Sequence, residues 1–177
     1  MKSKSFSGMA CSIAGALEAI GDRWAFLVLR DLSLGLARYD DLQRSTGIPT
    51  TTLAERLKHL EAAGLVEKVQ YQDHPPRAEY RLTRKGRDAG LVTLALAQWG
   101  DRWDLAQAGA PPVAFVDRET GRPVRLALID DETGATVPAG RIIAREGPGA
   151  DDLVRWRLCL GRQQGVEKHV ASEPVAT

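Results

Sequence analysis

Thr50, Thr51, Thr52, Glu55, Arg56 and Lys58 fall within one short stretch of the chain. Hydroxyls, an ammonium and a guanidinium at such spacing can bond phosphate oxygens and the edges of bases. Further basic positions follow: Lys68, Arg77 directly after Pro75-Pro76, and Arg84. Catalytic chemistry is not grouped in this way. His59, His74 and His169 are far apart, and neither a Gly-x-Ser-x-Gly elbow nor a phosphate-binding glycine loop is present. The chain therefore does not read as an enzyme, and no catalytic residue, cofactor or metal is expected. Cys11 and Cys159 form no Cys-x-x-Cys pair, which argues against a structural zinc site. Cys11 is the one candidate sensor, because a thiolate just before a helix is favoured by the helix dipole. The alternative is a small residue filling an apolar seam. Cys159, inside Leu-Cys-Leu, reads as core.

These residues need elements to hold them. The stretch 39–64, YDDLQRSTGIPTTTLAERLKHLEAAG, reads as two short helices joined at Thr46-Gly47. Leu53, Leu57 and Leu60 make a narrow stripe on the second helix, and the hydroxyls and charges occupy its other face. That is the layout of a helix-turn-helix. Arg56, one residue before Leu57, could instead brace the neighbouring helix. Two period-two runs follow, around Asp73-His74-Pro75-Pro76, and they predict a β-hairpin with a long tip. A hairpin in this position is a wing, whose arginine can reach a minor groove.

Cys11, the Gly-Asp-Arg-Trp at 21–24, the Arg-Leu-Lys at 56–58 and the Pro-Pro-Arg-x-Glu-Tyr at 75–80 together resemble the HxlR family of bacterial winged-helix regulators. The resemblance spans roughly residues 9–103. It implies a homodimer on a palindromic operator, repressing or activating, with the first helix packed on the partner subunit. It also implies a cysteine at the position of Cys11 that senses oxidants or electrophiles in some members.

At 177 residues, the chain has room for one domain and a smaller annex. Net charge is only +1, so a positive face must come from placement and not from total charge. No apolar run approaches the ~20 residues that span a bilayer, and residues 1–10 lack a signal-peptide core. A cytoplasmic protein with a flexible arm over 1–10 is expected. Residues 11–104 form the winged-helix and dimerisation domain. Ile13, Leu17 and Ile20 predict a first helix, and Asp22 caps a second bearing Trp24, Leu27, Val28 and Leu32. After the wing, Thr83 is expected to cap one long helix through Trp103, basic in its first turn. Leu91, Leu94, Ala95, Trp99 and Trp103 share a face of it, widened by Val92 and Leu96. A second subunit would cover this face, and packing on the C-terminal region is the competing account.

Residues 112–162 read as a β-rich annex, with short β-like runs at 113–116, 124–129 and 142–144 and an ambiguous run at 153–160. Its turns repeat a Glu-Thr-Gly core at a spacing of 13. They resemble zinc-ribbon-like tails of some family members, but threonines stand where those tails place cysteines. Residues 163–177 are expected to be disordered. The fold class is therefore α+β: a winged helix-turn-helix, a long C-terminal dimerisation helix and a small β-rich annex. The function expected is a DNA-binding transcriptional regulator, most simply a repressor, acting as a homodimer on double-stranded DNA and answering a small molecule or a redox signal. An effector pocket could be lined by Trp24, Trp99 and Trp103. The rival is a winged helix used only to dock a protein.

Overall fold

The computed structural model describes residues 5–74 and 77–163. Part of the N-terminal arm, two residues of the wing tip and the tail expected to be disordered lie outside the described residues. Four helices come first: α1 (Ser12–Ile20), α2 (Arg23–Ser33), α3 (Tyr39–Thr46) and α4 (Thr50–Ala62). The antiparallel hairpin of β1 (Val66–Gln72) and β2 (Arg77–Leu82) follows, then α5 (Arg84–Asp88), α6 (Gly90–Arg102) and α7 (Asp152–Gln163). The chain divides into two compact units. One is Ala16–Leu126; the other holds the N-terminal residues through Gly15 and the chain from Ala127 onward.

In the first unit, the apolar stripes of α2, α3 and α4 close on one core. Ala25, Val28, Leu29, Leu32, Leu42, Leu53, Leu57 and Leu60 are buried there with Ile48, Leu65 and Val66. Each buried leucine is worth about 1.5–3 kcal/mol relative to an exposed one. Asp22 starts α2 as expected: its Oδ1 accepts the N–H of Trp24 and of Ala25, both at 3.0 Å. Gly47 ends α3 at φ 66°, a left-handed conformation open to glycine, and so sets the tight turn into α4.

The wing pairs Val66 with Leu82 through Gln70 with Ala78, then shifts register between Gln70 and Gln72. Its base gains a third short segment that the period-two pattern did not show. Arg38 bridges Glu79, and the Tyr80 N–H donates to the Ala37 carbonyl at 2.8 Å.

The helix expected from Thr83 to Trp103 is two helices. Thr83 does cap α5, accepting the Gly86 N–H at 3.1 Å and donating to the Gly64 carbonyl at 2.7 Å. The break falls at Ala89, just before Gly90. Gly86 lies so close to Leu65 that a Cβ there would stand 1.9 Å from the Leu65 carbonyl oxygen. This contact fixes α5 against the start of the wing, while α6 packs along α2.

The β content expected for 112–162 shrinks to two single bridges, Val116 with Pro123 and Ile129 with Thr136. Each closes a six-residue turn. In the first unit the Val124 N–H donates to Phe115 and the Asp117 N–H to Arg122; in the other, Val137 donates to Leu128 and Asp130 to Ala135. The two turns thus repeat bond for bond at the sequence spacing of 13. Neither extends into a strand. The ambiguous run at 153–160 is helical, within α7. Cys159, expected in the core, is exposed.

Candidate nucleic-acid interface

The helical period sorts the polar residues of α4 into two stripes. Thr51, Glu55 and Lys58, at i, i+4 and i+7, are exposed and form one strip along the helix. Thr52, Arg56 and His59 form a second, half-buried strip, from which Arg56 and His59 reach the α1–α2 junction. There the Arg56 Nε lies 2.6 Å from Asp22 Oδ2. The Nε–H does not point along that line and counts as unbonded, so the contact is an ion pair and not a directed hydrogen bond. The His59 ring reaches the Ala19 carbonyl at 3.1 Å. Of the two roles open to Arg56, bracing the neighbouring helix is the one seen in this structure. Asp22 thus caps α2 with one oxygen and holds α4 with the other.

Thr50 is exposed but tied to α3. The Gln43 amide donates to its Oγ1 at 2.7 Å, and the Tyr39 hydroxyl donates to its carbonyl at 2.6 Å. These bonds lock the turn of the helix-turn-helix and aim the N-terminus of α4. Tyr39 was legible only as a helix residue; its role depends on a contact across 11 positions.

The wing brings Lys68 and Arg77 to the same place. Lys68, Gln70, Arg77, Ala78 and Tyr80 line, with Tyr39, a cavity of about 320 Å³. Tyr39 joins that cavity to the start of α4. Burial first, then nearby Glu61 and Tyr39, push the Tyr80 phenol above its ordinary value. Arg38, unremarked in the sequence, places its guanidinium 5.9 Å from the Tyr71 ring near the tip end of β1.

Arg84 is exposed at the start of α5. The other two cations of that basic turn have structural uses. Lys85 donates to the Ala63 carbonyl at the end of α4 (2.7 Å), and Arg87 donates to the Leu82 carbonyl (2.8 Å). They satisfy orphan carbonyls, which explains basic residues at a helix start that the dipole disfavours.

The aromatic residues are not gathered within one chain. Trp24 packs on the core, whereas Trp99 and Trp103 are 58% and 60% exposed. Cys11 is half-buried before α1, and its carbonyl accepts the Gly15 N–H at 3.0 Å.

A helix-turn-helix whose second helix shows a polar strip, followed by a wing that adds two cations beside that helix, defines a winged helix-turn-helix transcriptional regulator. Residues 19–108 match the HxlR-like helix-turn-helix family. An uncharacterized HTH-type transcriptional regulator of Mycobacterium tuberculosis is 38% identical over 138 residues, 78% of this chain and 87% of that protein. A solved transcription factor from Pseudomonas aeruginosa is 40% identical with a TM-score of 0.58, covering 84% of this chain and 100% of its own. A second solved transcription factor matches at 32% identity and a TM-score of 0.69, over 81% of this chain and 100% of that one. The chain belongs to the HxlR-like helix-turn-helix family. Both structural matches cover more of the chain than residues 1–108 and so take in part of the annex. Among the described residues, no helix is long and apolar enough to cross a membrane.

Proposed function

We propose that this regulator binds a palindromic operator as a homodimer and represses from it. Thr51, Glu55 and Lys58 of each α4 enter the major groove, with Thr50 and Thr52 at its rim. Arg77 reaches the minor groove, and Lys68 and Arg84 contact phosphates. The observation that carries this reading is the convergence of Lys68 and Arg77 on a cavity that Tyr39 links to the N-terminus of α4. A protein-docking module would not need two cations beside that helix end.

The second copy is assigned to the open face of α6. Leu91, Val92, Leu96, Trp99 and Trp103 are all exposed there, and apolar side chains exposed together mark a surface that a partner covers. Ile13 and Leu17 on α1 are exposed as well and would join the seam. A pocket built from Trp24, Trp99 and Trp103 would need that second copy, since one chain leaves two of its walls open.

The test is a gel-shift titration on DNA fragments that the purified protein retains, repeated between about 0.05 and 0.2 M salt. Phosphate contacts release counterions, so affinity should fall steeply over that range, by about a hundredfold or more. A flat salt response would favour the docking module instead.

A further inference from the structure

In the unit that runs on from Ala127, a cavity of about 770 Å³ is walled by Arg145, Arg155 and Arg162 together with Ile143, Leu158 and Cys159. Its volume lies within the range of about 300–1,000 Å³ that small organic ligands occupy. α7 supplies Arg155, Leu158, Cys159 and Arg162 at i, i+3, i+4 and i+7, so one face of this helix is given to the cavity. A segment beyond the 3-10 turn at Ala139–Arg141 supplies the opposite wall.

The charges are not balanced. Glu146 also faces the cavity, but its carboxylate pairs with Arg155 at 3.5 Å, and Arg155 bonds Asp152 at 2.9 Å as well. Arg155 is therefore already neutralised. Arg145 and Arg162 have no ion pair among the described residues, although they share a concave surface backed by apolar side chains. An anion held by both would gain charge-assisted hydrogen bonds from two otherwise unpaired guanidinium groups. Their planar donors suit a carboxylate, sulfonate or phosphate. Ile143 and Leu158 would be left uncovered by an inorganic anion.

We propose that this cavity binds a small organic anion with an apolar body. Arg145 and Arg162 take its acidic group, and Ile143 and Leu158 cover its apolar part. The site lies outside the residues that match the family and is independent of the operator reading.

The test uses the full chain and two fluorescent probes: anilinonaphthalene sulfonate and phenylnaphthylamine, which has the same rings without the sulfonate. Wild type should bind the sulfonate saturably. The variant Arg145→Gln/Arg162→Gln should bind it about tenfold or more weakly, with the neutral probe unchanged. Arg145→Lys/Arg162→Lys should restore most of the affinity, and circular dichroism should show both variants folded. The proposal fails if wild type shows no saturable sulfonate binding, if the glutamine variant binds the sulfonate as well as wild type, or if it loses both probes equally. It fails too if that variant keeps the sulfonate and loses operator DNA, since the arginines would then be phosphate contacts.

Discussion

Single residues on α4 separate DNA contact from support. Thr51→Ala combined with Lys58→Ala should weaken operator binding about tenfold or more and flatten its salt dependence, with the melting curve unchanged. Arg56→Ala should do the reverse. Losing the half-exposed pair with Asp22 should lower stability by about 1 kcal/mol or less, and operator affinity measured on the folded fraction should hold. Equal affinity loss for both variants would return Arg56 to the DNA-facing set. Cys11 can be examined alone. If it senses, an oxidant or quinone should release wild type from DNA and leave Cys11→Ser bound, because added bulk before α1 would shift the two recognition helices from the ~34 Å spacing of successive major grooves. The same response in both proteins would make Cys11 a packing residue.

At the scale of elements, the contact of α5 with the wing depends on Gly86. Gly86→Ala would drive a methyl group into the Leu65 carbonyl, which also accepts the Thr83 N–H at 3.1 Å. The expected cost is about 1–3 kcal/mol, as for overpacking elsewhere. Urea denaturation giving an unchanged midpoint would mean that α5 moves aside without cost. The twin turns of the annex carry a pH signature. The Thr120 N–H and hydroxyl, and then the Glu119 N–H, donate to Asp117, and Thr133 and Glu132 do the same for Asp130. These bonds hold both carboxyls below the ordinary value of 3.8. A lowered folded-state value means that the turns keep their full stabilisation above 3.8 and lose it as pH falls through the lowered value. The amide resonances of Thr120 and Thr133 should therefore titrate with midpoints below 3.8, and midpoints at or above it would contradict the bonding.

For the whole molecule, the proposed dimer rests on the open face of α6. Leu91→Asp places a carboxylate in the proposed seam, where burial without a partner costs several kcal/mol, and Trp99→Ala removes its largest side chain. Both variants should be monomeric by light scattering and should lose operator affinity, since one recognition helix then binds without its twin. A dimer persisting in both would assign the stripe to some other cover.

Leucine spacing, Gly47 and two period-two runs act locally, so the helix-turn-helix, the wing and their order were legible from the residues alone. The residues also marked the polar face of α4 and the caps at Asp22 and Thr83. Three things needed the tertiary structure. Arg56 became a brace because Asp22, 34 positions away, stands within reach. Tyr39, Lys68 and Arg77 became one surface because the wing folds back beside α3, a juxtaposition that no local period encodes. The long helix after the wing is two helices and the annex stops short of a sheet, outcomes that no local period encodes. Spacing along the chain fixes what a segment can become; which side chains meet is set by packing between segments, where residues distant in sequence compete for the same space.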